Sequence, residues 1–271
     1  MSIIEKTIDF NQLTKPWFHP IPKQCGYDQL QFEYSKETYQ NKQIEKNIHF
    51  IWIGSLVKEK YVRTLLECKR INTDYTIFFW IDHHTLNDDI TILLKTHGIV
   101  IKQIEMQDYI LRQYNKFDNY GYKADILRLQ IVYEYGGIYT DIDSVWLKPF
   151  DENFHYDFIT YRIDHECKAI GNPLFGFSKK SIILADVIRN LEKSIDCIMK
   201  IRDFSTIRNH IPIMTGGDLF CKVLMDNQYD SFHYIHQKWC VIGGPHENIY
   251  SDYSKTGKSY CYQTFDNNWS R

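Results

Sequence analysis

The sequence has no excess of positive charge. It contains 32 Lys and Arg residues against 34 Asp and Glu residues, so the formal net charge at pH 7 is −2. A nucleic-acid backbone is bound largely through clustered basic side chains that neutralise its phosphates. The near balance of charge therefore argues against nucleic acid as a partner of this chain.

Long hydrophobic runs are also absent. No stretch approaches the ~20 apolar residues with which a helix crosses a bilayer. The first residues, MSIIEKTIDFNQLTKPWFHPIPK, do not contain the long apolar core of a signal peptide. We therefore expect a chain without a transmembrane segment, located in the cytoplasm or on the cytosolic face of a membrane.

Closely spaced cysteine pairs are missing as well. The seven cysteines are odd in number and scattered, and none forms a Cys-x-x-Cys pair. This pattern argues against a zinc module and against a disulfide framework, and it favours a reducing compartment. The histidines do not supply a zinc site either, because His83-His84, His97 and the pair His233 and His236 lack the spacing of a four-ligand set.

The sequence does contain enough apolar residues for a core. The hydrophobic fraction is 44% over 271 residues, which is ordinary for a globular protein. We find no internal repeat, no low-complexity segment and no linker, so we predict a single domain over residues 1–271. Its first 45 residues, interrupted by Pro16, Pro20 and Pro22, are predicted to be an irregular or partly helical lead-in.

Strand and helix patterns alternate after this lead-in. Nearly continuous apolar runs predict strands at 47–54, 75–82 and 99–104. Apolar residues at helical spacing predict helices at 58–72 and 88–98. Such alternation predicts an α/β fold, with a mostly parallel sheet and helices on both of its faces.

The pattern continues through the middle of the chain. Residues 120–137 predict a helix that ends at Gly136-Gly137, and IYTDIDSVWL at 138–147 predicts the next strand. Short strands at 157–163 and 172–179 and a long helix at 181–201 follow.

The acidic pair Asp141 and Asp143 stands at the end of an apolar run, on the same predicted strand face as Tyr139. One interpretation is that the strand ends before Asp141 and that water solvates both carboxylates. The other places the pair at the carboxyl end of a central strand, where ligands bind in open parallel sheets. Oxygen ligands without a nearby His or Cys would then suit Mg²⁺ or Mn²⁺ rather than Zn²⁺.

Asp125 and Arg128 are a second pair of charges in an apolar segment. They lie three residues apart and therefore on one face of the predicted helix. An ordinary ion pair within the helix is one explanation. A polar ligand is the other, because Asp accepts hydrogen bonds from sugar hydroxyls and Arg donates to oxygens of a sugar or a phosphate.

Residues 122–150 resemble the core of the DXD glycosyltransferases of the Och1-like sugar-transferase group, which is similar to glycosyltransferase family 32. The segment reads YKADILRLQIVYEYGGIYTDIDSVWLKPF. It is also similar to the sugar-binding region of the large clostridial glucosylating toxins. Ala124 and Tyr133 replace the usual Ser and Leu of that pattern. The positions that match are Asp125, Arg128, Gly136, Gly137, Tyr139, Asp141 and Asp143.

Other segments extend the resemblance in patches over residues 45–270. The family's opening strand is similar to EKNIHFIWIG, and its next strand is similar to FFWID. The family segment that carries an Asn near the donor sugar resembles AIGNPLFGFSK, with Asn172 at that position. Three positions depart from the family. Gly217 stands in place of the Pro in Thr-Gly-Pro, and Gln263 and Asn268 replace the His and Ser of the ending H-x-x-x-x-S-W, of which Trp269 is kept.

The resemblance implies a GT-A-type nucleotide-binding sandwich and a metal-dependent, retaining glycosyltransferase. The enzyme would move a hexose or N-acetylhexosamine from a nucleotide sugar to a glycan, lipid or protein acceptor. A UDP-sugar is the favoured donor and GDP-mannose is possible. No residue is identified as a nucleophile of double displacement, so a front-face mechanism is the expectation.

The resemblance also implies roles for single residues. Ile51 and Trp52 would bind the donor, with Trp52 stacked on the base, although core packing is the alternative for Trp52. Asp143 would bind Mn²⁺ or Mg²⁺ directly, Asp141 would contact the ribose or sugar and help hold the metal, and Asn268 would complete the metal shell. Asp125, Arg128 and Asn172 would hold the sugar, and Tyr139 would also contact the donor. Trp269 would close over the diphosphate. The expected catalytic set is Asp125, Arg128, Asp141 and Asp143.

Two alternatives remain open from the sequence. The altered positions Gln263 and Asn268 suggest a catalytically degenerate module that binds nucleotide sugars on the same fold. A phosphohydrolase that uses the acidic pair is the second alternative, and the absence of another acidic cluster weakens it.

Overall fold

The computed structural model describes much of the chain. The described residues are 4–6, 30–82, 85–104, 115, 119–163, 168–200, 215–227, 229–236 and 259–264. The predicted lead-in is therefore described from residue 30 onward and at 4–6. Its part at 30–45 is irregular and contains no helix. The prediction of a single domain is not tested by these features and stays a prediction.

The described strands form one eight-stranded sheet and one two-stranded ribbon. The strands are β1 Ile4–Glu5, β2 Asn47–Trp52, β3 Thr76–Ile81, β4 Val100–Gln103, β5 Gly137–Thr140, β6 Ser144–Trp146, β7 Phe158–Ile163, β8 Lys168–Phe177, β9 His233–His236 and β10 Cys261–Gln263. The helices are α1 Glu59–Ile71, α2 Asp88–Thr96, α3 Tyr120–Tyr135, α4 Ile182–Ile198 and α5 Gly217–Asp226, with a 3₁₀ turn at Glu152–Phe154.

The large sheet has the order β1-β9-β7-β8-β5-β2-β3-β4. Its β5-β2-β3-β4 half is parallel, as the alternation of strands and helices predicts. Strand β8 lies antiparallel between β5 and β7, while β7 pairs parallel with β9. The predicted α/β class is therefore confirmed, with four of the seven strand pairings described in the large sheet parallel.

Hydrophobic clusters lie on both faces of this sheet. Phe50 of β2 and Leu65 of α1 belong to one buried cluster, whereas Ile51 belongs to the other, with Leu127 of α3 and Leu184 of α4. Successive side chains of a strand point to opposite faces, so one strand contributes to both cores. The predicted helices on both faces are confirmed.

Helix α3 leads directly into β5 through two glycines. Asn119 caps its start by accepting a hydrogen bond from Tyr122 N at 3.0 Å. Gly136 and Gly137 have φ angles of 66° and 104°, and a Cβ on Gly137 would lie 2.6 Å from Asn47 O of β2. The glycine pair therefore allows α3 to turn sharply and β5 to pair beside β2.

The predicted strand 138–147 is in fact two strands separated by an acidic turn. β5 ends at Thr140, and β6 begins at Ser144 in the separate ribbon with β10. Ser144 Oγ donates to Asp141 O at 2.8 Å and lies 3.0 Å from Thr140 Oγ1. These hydrogen bonds stabilise the turn in place of a continued strand ladder, as short hydroxyl side chains often do.

No helix in the described part of the chain is long and apolar enough to span a membrane. The longest of them, α4, confirms the predicted helix at 181–201 with slightly shorter bounds.

Candidate active site

The candidate site lies where β5 ends at the edge of the sheet. The acidic turn follows β5, Asp125 and Arg128 project from α3, and Asn172 comes from β8. The structure brings these sequence-predicted residues into direct contact, because β5 lies beside β8 and α3 enters β5 without a loop.

Arg128 is the positive charge beside the acids. Its Nη2 lies 3.0 Å from Asp125 Oδ1 and 3.5 Å from Asp141 Oδ1, and its guanidinium lies over the Tyr139 ring at 4.5 Å. Its Nη1 donates to Asn172 O at 2.9 Å. Burial alone would lower the pKa of Arg128. The neighbouring Tyr139, Asp125 and Asp141 act more strongly in the opposite direction, so the pKa is raised. The side chain is thus a fixed cation that joins α3, β5 and β8.

Asp125 is buried, and both of its oxygens accept hydrogen bonds. Asn172 Nδ2 donates to Oδ1 at 2.9 Å, and Thr215 Oγ1 donates to Oδ2 at 3.0 Å. Burial raises the pKa of the Asp125 carboxyl, while Arg128 and Thr215 act in the opposite direction. The carboxyl is therefore oriented by three separate elements of the chain.

Thr215 is a site residue that sequence reasoning missed. It stands 90 residues from Asp125 and directly before Gly216, the N-cap of α5. Its signal in the sequence is the Thr-Gly dipeptide of MTGGDLF, which directly precedes Gly217. A Cβ on Gly217 would lie 2.0 Å from Ile170 O, so the backbone of β8 leaves no room there for the family's Pro.

Asp141 is held by two donors that approach from different elements. Tyr139 Oη donates to Oδ1 at 2.7 Å, and Gln263 Nε2 of β10 donates to Oδ2 at 3.2 Å. The side chain is 32% exposed. The structure therefore combines the two interpretations of the sequence, since the strand ends before Asp141 but the carboxylate is anchored at the carboxyl end of a central strand.

Asp143 follows in the same turn. Its backbone oxygen accepts a hydrogen bond from Thr264 N at 3.0 Å. Thr264 follows β10 directly, so the C-terminal ribbon contacts both aspartates of the turn. The predicted tail residues Asn268 and Trp269 lie outside the described residues, and their roles stay predictions.

The two predicted donor residues of the first strand differ in their surroundings. Ile51 is buried in the core, whereas Trp52 is half-buried, with its ring 4.8 Å from that of Tyr61 and its Nε1 donating to Ser55 O. Gly54, at φ 85°, donates its N–H to Asp82 at the end of β3. The loop that follows Trp52 is thus held by a residue at the end of the neighbouring strand, and contacts of Ile51 and Trp52 with a donor stay predictions.

The chemistry of the turn fits a hard cation. Asp141 and Asp143 offer carboxylate oxygens, and Mg²⁺ or Mn²⁺ commonly takes one or two carboxylates together with water and phosphate oxygens. Within the described ranges no group of three or more His, Cys, Asp and Glu residues is arranged to hold a metal. A metal here would accordingly depend on the two aspartates and on ligands beyond them.

Comparison with known proteins finds a family model that matches part of this chain. Residues 58–159 match the sequence model described as glycosyltransferase sugar-binding region containing DXD motif. The match begins before α1 and ends within β7, so it includes Asp125, Arg128 and both aspartates of the turn.

Several curated proteins are similar over part of their length. Subversion of eukaryotic traffic protein A of Legionella pneumophila is 34% identical over 128 residues, which cover 44% of this chain and 20% of that protein. Inositol phosphoceramide mannosyltransferase 3 of Schizosaccharomyces pombe is 29% identical over 169 residues, which cover 59% of this chain and 41% of that protein. The similarity thus covers less than half the length of each of these proteins.

Similarity to a solved structure concerns the fold. The structure described as PaToxG Glycosyltransferase superposes with a TM-score of 0.55 at 20% sequence identity, covering 69% of this chain and 71% of that one. The predicted GT-A-type sandwich is confirmed by this likeness.

Proposed function

We propose that this chain transfers a sugar from a nucleotide donor to an acceptor, because its residues 58–159 match the model of the glycosyltransferase sugar-binding region that contains a DXD motif. The match over residues 58–159 supports the family resemblance seen in the sequence and the expectation of a glycosyltransferase. The nature of the donor, the metal ion and the stereochemistry are parts of the same proposal.

The observation that carries the proposal is the network around Arg128. At the end of β5 the Arg128 guanidinium forms ion pairs with Asp125 and Asp141 and a hydrogen bond to the backbone of Asn172. The Asn172 side chain in turn donates to Asp125. Carboxylates accept from sugar hydroxyls, and amide and guanidinium groups donate to sugar oxygens. Fixed groups of both kinds support recognition of a polar, hydroxyl-rich donor in this place.

A metal ion suits the acidic turn. We propose that Mn²⁺ or Mg²⁺ is held by Asp143, with Asp141 and Asn268 contributing. When bound, such an ion would neutralise charge on the departing diphosphate. The chain itself would orient Asp141 through Tyr139 and Gln263, and would orient the sugar-facing carboxyl of Asp125 through Thr215 and Asn172.

The environment of Asp125 argues against its use as a nucleophile. Both of its oxygens already accept hydrogen bonds, and Arg128 pairs with it at 3.0 Å. A nucleophile must present an available oxygen to the anomeric carbon. We therefore propose retention through a front-face mechanism, in which the departing diphosphate helps to remove the proton of the acceptor.

The donor is proposed to be a UDP-sugar, with GDP-mannose as the second candidate. The relative from S. pombe is named a mannosyltransferase, which keeps GDP-mannose in the comparison. The acceptor is a glycan, a lipid or a protein side chain.

The first experiment measures turnover of a panel of nucleotide sugars. Released nucleotide is measured with Mn²⁺ present, for the natural chain and for Asp143→Ala. We expect that the substitution lowers turnover roughly 100-fold or more, because metal stabilisation of the leaving group amounts to several kcal/mol. Asp89→Ala, at an exposed acid in the first turn of α2, is the matched control and should leave turnover unchanged.

Other outcomes of this experiment are informative. Undiminished turnover in Asp143→Ala would refute the metal assignment. Metal-dependent binding of UDP or GDP without turnover of any donor would indicate the catalytically degenerate module instead. Release of phosphate from simple phosphoesters would favour the phosphohydrolase.

A further inference from the structure

Gln263 contacts the acidic turn from a distant part of the sequence. Its Nε2 donates to Asp141 Oδ2 at 3.2 Å, although the two residues are 122 positions apart. The Gln263 side chain is buried, with 3% exposure. A carboxylate only accepts hydrogen bonds, so the amide must present its NH₂ group to Asp141.

Backbone pairing fixes the position of Gln263. In the ribbon, Gln263 stands opposite Ser144, and Tyr262 stands opposite Val145. Ser144 in turn donates to Asp141 O, and Thr264 N donates to Asp143 O. The side chain of Gln263 therefore reaches Asp141 as part of a paired strand that also holds the backbone of the turn.

The two oxygens of Asp141 have different donors. Tyr139 holds Oδ1 from β5, and Gln263 holds Oδ2 from β10. Two donors on opposite oxygens limit rotation of the carboxylate about its last bond. If the Gln263 amide is removed, Asp141 keeps the contacts of Tyr139 and Arg128 at Oδ1 but loses its hydrogen bond at Oδ2.

From this arrangement we infer that Gln263 is a positioning residue, which orients Asp141 for the metal-bound diphosphate of the donor. The inference rests on the proposed function and adds to it a residue on the C-terminal ribbon. In the resembled family this position is His, and both side chains offer an N–H donor. The donor, rather than the amide as such, is thus the property that the position requires.

Calorimetry with Mn²⁺ and UDP, and separately with Mn²⁺ and GDP, tests this inference at pH 7.5. In Gln263→Leu the affinity for the Mn²⁺–nucleotide pair should fall about tenfold, as expected for loss of a hydrogen bond to a charged acceptor. Gln263→His keeps an N–H donor and should stay within about threefold of the natural chain. Tyr262→Leu, the neighbour on the opposite face of β10, is the matched control and should bind normally.

The thermal unfolding midpoint without ligand is measured for the same variants. A role in packing alone would make the wider imidazole at least as harmful as Leu, in affinity and in midpoint. Equal affinity of Gln263→Leu and the natural chain, or equal weakness of the Leu and His variants, would overturn the inference alone. If Gln263→Leu does not unfold cooperatively, Gln263→Met takes its place, because it keeps the length of the side chain without the donor and should bind equally weakly.

A natural chain that binds neither nucleotide in the presence of Mn²⁺ would refute the proposed function, and this inference with it. The two failures are thereby distinguished by the natural chain, which is measured first.

Discussion

At the scale of single residues, Arg128 explains how acidic side chains gather in an apolar part of the molecule. A buried carboxylate is costly unless charge or hydrogen bonds compensate it. Arg128 lies close to both Asp125 and Asp141, and its other side faces the Tyr139 ring. Each carboxylate also accepts a hydrogen bond from a neutral donor, Thr215 for Asp125 and Gln263 for Asp141. The ion pairs with Arg128 are therefore not the sole stabilisation of the two negative charges.

Thr215 permits a prediction at this scale. In Thr215→Val the buried Oδ2 of Asp125 loses its hydroxyl donor, which should lower the free energy of unfolding by about 1–3 kcal/mol. Affinity for the nucleotide sugar should fall as well, because Asp125 is no longer held in one orientation. Chemical denaturation and donor titration measure the two effects.

Thr215→Ser is the control for that substitution, since it keeps the hydroxyl. It should bind the donor nearly as well as the natural chain. If the Val and Ser variants were equally impaired, the hydrogen bond to Asp125 would not be the reason.

At the scale of elements, close backbone contacts place the site. Gly137 lets β5 start against Asn47 of β2, and Gly217 lets α5 start against Ile170 of β8. Thr215 precedes that second contact by two residues. The orientation of Thr215 toward Asp125 therefore depends on how closely α5 approaches the sheet.

Gly217→Ala is the prediction that follows. Its Cβ would lie 2.0 Å from the backbone oxygen of Ile170, which no rotation of a side chain relieves. We expect a loss of roughly 1–3 kcal/mol in the free energy of unfolding, as for overpacking, together with weaker donor binding through Thr215.

Gly98→Ala gives the comparison. Gly98 has φ 75°, but the nearest atom to an added Cβ is Lys69 Cε at 3.8 Å. That variant should lose about 1 kcal/mol through its backbone conformation and should bind the donor normally. Equal donor affinity in both variants would show that the approach of α5 does not control the site.

At the scale of the whole molecule, the two cores meet at a sheet that contains a buried histidine. His49 of β2 is fully buried, with Nε2 at 2.8 Å from Gly136 O and Nδ1 accepting from Trp80 Nε1 at 3.1 Å. These partners require a neutral ring with its proton on Nε2. Burial lowers the pKa of His49 from 6.5 to about 4.

The lowered pKa predicts how stability depends on pH. The neutral ring stabilises the fold fully above pH 6.5, and this contribution is lost as the pH falls through about 4. Between pH 7 and pH 4 the free energy of unfolding should therefore fall by about 3 kcal/mol more in the natural chain than in His49→Gln, because the Gln side chain does not titrate. Urea denaturation at several pH values measures the difference.

The comparison with His49→Gln is needed because another buried group acts in the opposite sense. Burial raises the pKa of Asp157 to about 6, so its contribution to stability is lost as the pH rises through that value. The variant retains Asp157, so the difference between the two chains isolates His49. Parallel curves would contradict the assignment.

The first described segment belongs to the same scale. Asn190 of α4 accepts from Glu33 N and donates to Glu33 O, both at 2.7 Å, and Asp186 accepts from Ser35 N. Side chains of α4 thus hold the backbone at Glu33 and Ser35 against the helical layer. The predicted reducing compartment is not tested by the structure and stays a prediction, although Cys68, Cys197, Cys221 and Cys261 are buried thiols outside any disulfide.

The sequence by itself determined the features that depend on near neighbours in the chain. Apolar periodicity marked the strands and helices from residue 47 to residue 135 almost to their observed bounds, whereas the strand predicted at 138–147 is divided by the acidic turn. The spacing of Asp125 and Arg128 placed both on one helical face, and strand alternation placed Tyr139 beside Asp141. These contacts follow from helix and strand geometry, so a single sequence was sufficient to find them.

Only the tertiary structure decided which distant residues complete the site. Thr215 and Gln263 reach Asp125 and Asp141 across 90 and 122 positions, and no local period connects them. Their placement depends on the close approach of α5 to β8 and on the pairing of β10 with β6. Such contacts arise from packing between elements, which the side-chain pattern within any one element does not encode.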